Sequence, residues 1–142
     1  MATGTAAIRN ILVNETEITN LIGDRIYPDW MKQDAEMPAI VLWTVSSTPY
    51  DTMSGGMGME ESRIRVECVS QTREQSDSIW LLVNKALSKT LRKGNYGGVQ
   101  VCSISQGTGS YHMADRPYDG SDRWLYRTIQ SFDIHYYLYE KE

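Results

Sequence analysis

The chain has 142 residues, of which 41% are hydrophobic and 23% charged, a length and composition that suit one domain with its own core. Its formal net charge of −4 argues against tight, sequence-independent nucleic-acid binding, because that affinity comes mainly from Lys and Arg on phosphates. The N-terminus lacks the features of a signal peptide and no run approaches 18 apolar residues, so we expect no membrane contact and folding in a reducing cytoplasm. Cys68 and Cys102 fall in predicted strands, where we expect buried free thiols.

The N-terminal segment is predicted to be helical. Apolar residues at helical spacing predict a first helix over residues 5–13. Asn14 resembles the N-cap of a short second helix, with Glu17 at the third helical position as in a capping box. Gly23 can adopt the left-handed backbone conformation that often ends a helix, so we expect the second helix to end there. Pro28 then allows only a short edge strand or an ordered loop.

Two strands are predicted in the middle of the chain. The first runs from Ala39 to Ser46 and the second from Ser62 to Ser70, with a loop over residues 47–60 between them. The second strand alternates between apolar and charged residues, and its charged positions run from Arg63 to Glu67. Because side chains alternate across a strand, we expect the charged side to face solvent.

The main helix is predicted over residues 72–91. Thr72 suits its N-cap, with Gln75 three residues later, and Gly94 follows as the stop signal. The apolar residues of this segment recur at helical spacing, which predicts one buried stripe.

Two final strands are predicted, from Val99 to Ser105 and from Trp124 to Tyr139. The polar, Gly-rich stretch 106–122 separates them as a long loop or as the tip of an extended hairpin. The predicted order is therefore α-α-β-β-β-α-β-β. This order predicts an α+β fold in which an antiparallel sheet is packed on one side by the main helix.

The sequence contains no motif for a catalytic, metal or cofactor site. His112 and His135 are the two histidines, and neither belongs to an HxxxH or HxH pattern; there is no CxxC either. No Gly-x-Ser-x-Gly elbow occurs, although the members of a triad need not be neighbours in sequence. The glycine-rich segment 55–58 joins two strands instead of opening a helix, which favours a hairpin tip over a phosphate loop.

Two segments are predicted to contact other proteins. Residues 50–60 combine Met with Gly, which makes an adaptable apolar tip; a loop without a partner is the alternative. Residues 106–122 exceed the usual length of a structureless loop in a compact domain, which is typical of functional loops. The candidate interaction residues are Tyr50, Met53, Met57, Met59, Tyr111, Met113, Arg116, Tyr118 and Asp119.

An ordered set of short segments covers nearly the whole chain. The segments are Leu21-Ile22-Gly23-Asp24-Arg25-Ile26-Tyr27-Pro28, Gln33-Asp34, Met37-Pro38-Ala39-Ile40-Val41, Arg63-Ile64-Arg65-Val66-Glu67-Cys68, Thr72 followed by Asp77 and Leu82, Leu125-Tyr126-Arg127 and Phe132-Asp133-Ile134. In this order they resemble the tail completion, or tail terminator, proteins of long-tailed phages and prophages. The chain departs from the pattern mainly in the two candidate interaction segments.

The resemblance implies a structural virion protein that catalyses nothing and holds no cofactor. Such a subunit forms a hexameric ring at the head-proximal end of the tail tube. The ring stops tube growth and joins the tail to the head, so the implied partners are further copies of the chain, the major tail tube protein and the head–tail connector or head-closure protein. DNA passes through the ring without specific binding. The implied locations are the tail or neck of the virion and, during assembly, the host cytoplasm.

Three alternatives remain open from the sequence. The first is another neck component, such as a head-closure or adaptor protein. The second is a small nucleic-acid-binding regulatory module, in which Arg63, Arg65 and Arg127 would form a platform with Tyr137 and Tyr139 on exposed strand faces. The third is an enzyme whose triad leaves no local motif.

Overall fold

The computed structural model describes residues 4–29, 36–52, 55–88, 94–115 and 124–137. In chain order, the elements are α1 (Gly4–Val13), α2 (Thr16–Ile22), β1 (Ile26–Pro28), β2 (Ala39–Thr52), β3 (Gly55–Ser70), α3 (Arg73–Leu87), β4 (Gly94–Tyr96), β5 (Val99–Asp115) and β6 (Leu125–Tyr137). The α+β class and the order of the predicted elements are confirmed. The three-residue strand β4 is an addition that the sequence pattern did not predict.

The strands form one six-stranded sheet in the order β1-β2-β3-β6-β5-β4. Neighbouring strands are antiparallel, as predicted, except that β1 runs parallel to β2. The connection from Pro28 to Ala39 is longer than a hairpin turn, which allows the chain to return in the same direction. Strand β6 lies near the centre of the sheet, between β3 and β5.

The three helices pack on one face of this sheet and close a hydrophobic core. Ile8 of α1 and Ile79 of α3 are fully buried, as are Ile64 of β3 and Ile134 of β6, and all four belong to one cluster. Side chains alternate between the two faces of a strand, so every second residue of a strand points to the helices and belongs to this core. Complete burial of an aliphatic or aromatic side chain of this size contributes about 1.5–3 kcal/mol.

Helix α3 begins as predicted and ends earlier. The Thr72 hydroxyl accepts a hydrogen bond from the backbone N–H of Gln75 at 3.3 Å, which confirms the predicted N-cap. The helix ends at Leu87, and the backbone N–H of Ser88 donates its last bond. Gly94 is therefore not its stop signal, and instead begins β4.

The predicted N-cap of α2 is wrong. The N-cap position belongs to Glu15, which makes no side-chain capping bond, and the helix starts at Thr16. The side-chain amide of Asn14 donates backward to the carbonyl of Asn10 at 2.8 Å. The side chain of Asn14 thus adds a second donor to a carbonyl at the end of α1, which also accepts the backbone N–H of Asn14 at 3.3 Å, and it caps no N–H at the start of α2.

The loop predicted over residues 47–60 is mostly strand. Strand β2 continues to Thr52 and β3 begins at Gly55, so the two strands form a long hairpin. Pro49, which lacks a backbone N–H, still pairs with Glu60, and the register shifts directly after it. Proline is tolerated at such irregular edge positions, which is why a turn-like composition misled the prediction.

The stretch 106–122 is also partly strand, because β5 runs to Asp115. This confirms the extended hairpin up to that residue, whereas residues 116–123 lie outside the described residues. A register shift interrupts the β5–β6 pairing between Gln106 and Ser110. Within it, a Cβ added to Gly107 would lie 2.9 Å from the carbonyl oxygen of Ser131, so the backbones approach too closely for a side chain.

Candidate interaction surfaces

The two long hairpins project from opposite ends of the sheet. Near the tip of the β2–β3 hairpin, Met59 pairs with Tyr137, the last residue of β6. At the other end, Met113 pairs with Arg127 near the first residue of β6. At about 3.3 Å per residue, these two positions are about 33 Å apart along β6. The two predicted interaction segments therefore point in opposite directions along the strands.

The structure brings some candidate residues together and separates others. Tyr111 and Met113 are 48% and 47% exposed, and they lie two residues apart on β5, so their side chains share one face of the sheet. Met59 is partly buried at the opposite end. Tyr50 is a residue of β2, and Met57 is a residue of β3. The candidates outside the described residues are Met53, Arg116, Tyr118 and Asp119.

The sheet face opposite the helices carries a cluster of ionisable side chains. We call it the charged face: Glu61, Arg63, Arg65 and Glu67 of β3 with Arg127, Asp133 and His135 of β6. Glu67 is only 4% exposed, so the prediction that this side of β3 faces solvent is wrong for it. The reason is tertiary: Arg127 donates to Glu67 at 2.8 Å across the strands, and Arg65 lies 3.1 Å from its other oxygen.

The remaining groups of the charged face are also engaged. The guanidinium of Arg65 lies over the ring of Trp43, 5.4 Å from its centroid. Arg63 donates to Asp133 at 3.0 Å, and this hydrogen bond together with the charge of Asp133 raises the pKa of Arg63. His135 lies 3.8 Å from Glu61.

These pairings bear on the nucleic-acid alternative. All three arginines of the suggested platform, Arg63, Arg65 and Arg127, contact a carboxylate of the same chain. Phosphate binding depends on guanidinium and ammonium groups that are available to replace counterions. Tyr137 is partly buried, and Tyr139 lies outside the described residues. The face is thus largely charge-compensated, unlike a nucleic-acid platform.

Arg73 joins the start of α3 to the β5–β6 hairpin. Its guanidinium donates to the carbonyls of Met113 and Arg127, each at 3.1 Å, and lies 5.2 Å from the ring centroid of Tyr126. These contacts hold the hairpin near its exposed end, where Tyr111 and Met113 lie. Arg73 is not predictable from the sequence, because no local pattern distinguishes it from a solvated arginine in a first helical turn.

His112 lies in β5, in the part of the 106–122 stretch that forms the extended hairpin, and faces the start of α3. Its Nδ1 is 3.4 Å from both Asp77 Oδ1 and Thr128 Oγ1. Ser76 donates to the carbonyl of Cys68 at 2.7 Å, and both hydroxyl-bearing residues, Ser76 and Thr128, are fully buried. A hydrolytic triad places the acid and the nucleophile on different imidazole nitrogens. Here they share one nitrogen, so the group serves to attach α3 to the sheet.

The cysteines differ from each other. Cys68 is buried as predicted, and burial raises the pKa of its thiol. Cys102 is partly exposed, so the prediction that it is buried is wrong.

Within the described ranges, no three His, Cys, Asp or Glu side chains lie close enough to hold a metal ion. The described part of the chain also contains no helix that is long and apolar enough to cross a membrane.

The arrangement of three helices on one face of a curled, hairpin-rich sheet is shared with a virion component. The fold matches a chain in a solved structure that is described as the virion of a native gene transfer agent particle. The TM-score of this match is 0.70. The match covers 94% of each chain at 11% sequence identity. At this identity the match demonstrates a common fold.

The family is shown by the sequence itself. The family model described as tail completion protein gp17 matches residues 6–93, which is more than half of the chain. The chain belongs to this family, and it is a structural protein of a phage-type tail. No curated protein matches it. The matched region contains most of α1, all of α2 and α3, and the first three strands, whereas β4, β5 and β6 follow it.

Proposed function

We propose that the protein is a tail terminator subunit, which forms a six-membered ring at the head-proximal end of the tail tube. The ring stops the tube from growing and joins the tail to the head. The observation that carries this proposal is the placement of two long hairpins at opposite ends of one sheet, in a member of the tail completion family. A subunit between tail and head must contact a different partner at each end.

The two ends carry the residues that we propose as contacts. The β5–β6 end presents Tyr111 and Met113, which are half-exposed on one face and are followed in sequence by Arg116, Tyr118 and Asp119. The β2–β3 end presents the segment from Tyr50 to Met59. Exposed aromatic and Met side chains are typical of protein interfaces. One end would meet the major tail tube protein and the other the head–tail connector or head-closure protein.

The proposed role requires no catalysis and no cofactor. Assembly would occur in the host cytoplasm, and the protein would remain in the tail or neck of the virion. DNA would pass through the ring without specific binding. A largely charge-compensated face supports this last point if that face lines the ring, because compensated arginines offer little net attraction to phosphates.

Disruption of the gene in the parent phage or prophage tests the proposal. After induction, negative-stain electron microscopy of the lysate should show filled heads beside detached tails of abnormal and variable length, because tube growth has lost its stop. Tails of normal length beside separate heads would instead assign the protein to the head side of the neck. Intact infectious particles would overturn the structural role.

Complementation with surface variants then tests the proposed contacts. Tyr111→Ser combined with Met113→Ser should restore fewer joined particles than the native gene. Leu81→Ser is the matched control, because Leu81 is 59% exposed and lies on α3, in neither hairpin. Equal complementation by the double variant and by the control would show that this end of the sheet makes no essential contact.

A further inference from the structure

Strand β5 has a long edge that its neighbour β4 leaves open. Strand β4 pairs only with Val99–Val101. Within the described part of the chain, the rest of β5 therefore has a partner strand only on the β6 side. We call residues 102–112 the β5 edge; beyond them, Arg73 occupies the carbonyl of Met113. The β5 edge contains no Lys, Arg or Pro, the residues with which soluble proteins usually prevent edge-to-edge pairing.

A second open edge lies on the opposite side of the same sheet. Strand β1 pairs only with Ile40–Leu42 of β2. As far as the described residues extend, positions 43–52 of β2 pair with β3 alone; we call this segment the β2 edge. It also contains no Lys or Arg, and its single proline, Pro49, lies towards the hairpin tip. One subunit thus presents two edges of about equal length that carry no Lys or Arg, and register shifts interrupt each of them.

The directions of the two edges are complementary. Strands β2, β3, β6 and β5 are successively antiparallel, so β2 and β5 run in opposite directions. A neighbouring copy related by rotation about a ring axis places its β2 antiparallel to the β5 of the first copy. The alternation of strand directions then continues across the subunit boundary. The interface is heterologous, as a closed ring requires.

We propose that the β5 edge of each subunit pairs with the β2 edge of the next copy, so that the sheets form one continuous antiparallel sheet around the ring. This inference rests on the proposed ring function and identifies the surface that builds the ring. Its occupant is a second copy of this chain, because the same molecule carries both complementary edges.

The short outer strands determine the offset between copies. With no offset, β1 and β4 of adjacent copies would lie between the two edges. Strands in closed sheets tilt by about 35–45° from the axis, and four strands spaced about 4.8 Å apart are then offset by about 13–19 Å per copy, or about four to six residues. Ser47 is aligned with Ile134 through Ser62. In the direction that clears β1 and β4, that offset places Ser47 opposite Ser110–His112 of the neighbouring copy.

Cysteine crosslinking tests the pairing in assembled particles. The disrupted gene is complemented with a Cys102→Ser chain that also carries Ser47→Cys and Ser110→Cys, and the particles are treated with a short bismaleimide. Denaturing gels should show a ladder of covalent multiples, up to six chains. In matched controls, each single variant should give no ladder, because the two positions come from different copies. Ser46→Cys with Ser105→Cys should crosslink far less, since both residues are aligned with Asp133 and would meet only at zero offset.

The outcomes separate this inference from the proposed function. A ladder from the Ser47 and Ser110 pair, with none from the single variants, supports the edge pairing. Infectious particles with normal tails and no ladder overturn the edge pairing alone. Dimers from a single variant overturn it as well, because they indicate like edges in contact. Normal tails in the gene disruption, measured independently, overturn the terminator role.

Discussion

Arg127 on β6 donates to the carboxylate of Glu67 on β3 at 2.8 Å, and Glu67 is only 4% exposed. Arg65 contacts the same carboxylate at 3.1 Å. Glu67→Gln should therefore lower the free energy of unfolding by about 1–3 kcal/mol, because two guanidinium groups lose a charged acceptor. Urea unfolding followed by circular dichroism measures this change.

The same face provides the comparison for that prediction. Arg127→Ala should destabilise the protein clearly more than Arg63→Ala, because the side chain of Arg63 is 51% exposed and its pair with Asp133 is accessible to water. If the two arginine variants unfold at the same urea concentration, the buried pair contributes no more than the exposed one.

The start of α3 depends on the Thr72 hydroxyl, which accepts from the N–H of Gln75. Thr72→Ala should cost about 1 kcal/mol of unfolding free energy, because one N–H at the helix start loses its partner. Thr72→Ser keeps the hydroxyl and should remain close to the native protein in a thermal melt. Equal losses in the two variants would assign the effect to the methyl group instead.

Stability should fall at high pH through Tyr136. Its side chain is 2% exposed, burial raises its pKa above the ordinary value of 10.0, and its hydroxyl lies 2.9 Å from that of Ser62. A raised folded pKa leaves stability intact below about pH 10. Above that pH the unfolded tyrosine ionises first, so the unfolding free energy should fall by up to about 1.4 kcal/mol per pH unit. Tyr136→Phe should reduce this slope between pH 10 and 11; an unchanged slope would contradict the assignment.

The two cysteines should react differently with a thiol reagent. Cys68 is fully buried and burial raises its thiol pKa, whereas Cys102 is partly exposed. Because the thiolate is the reactive form, iodoacetamide should modify Cys102 in the folded protein and both thiols in urea. Intact-mass measurement counts the additions, and Cys102→Ser should remove the native-state addition. Labelling of Cys68 in the folded Cys102→Ser protein would show that the core opens readily.

Local sequence signals predicted α3 well at its start. The N-cap Thr72, Gln75 three positions later and the apolar stripe of α3 are features of neighbouring residues. Helix formation also depends largely on neighbouring residues. The same logic misplaced the cap of α2, because Asn14 could satisfy either of two nearby helix ends. Only the three-dimensional arrangement shows that its amide turns back to Asn10.

The sequence by itself determined the fold class, the core-facing alternation of β3 and β6, and the two segments that stand apart in composition. Tertiary structure decided that those segments continue as paired strands, that they project from opposite ends, and that Glu67 is buried between arginines of two strands. The physical reason is that periodicity and capping act over a few residues, whereas strand pairing joins residues as distant as Glu67 and Arg127. A glycine-rich or proline-containing segment is a loop in isolation, but it becomes a strand when a neighbour accepts its backbone hydrogen bonds and a bulge absorbs the misfit.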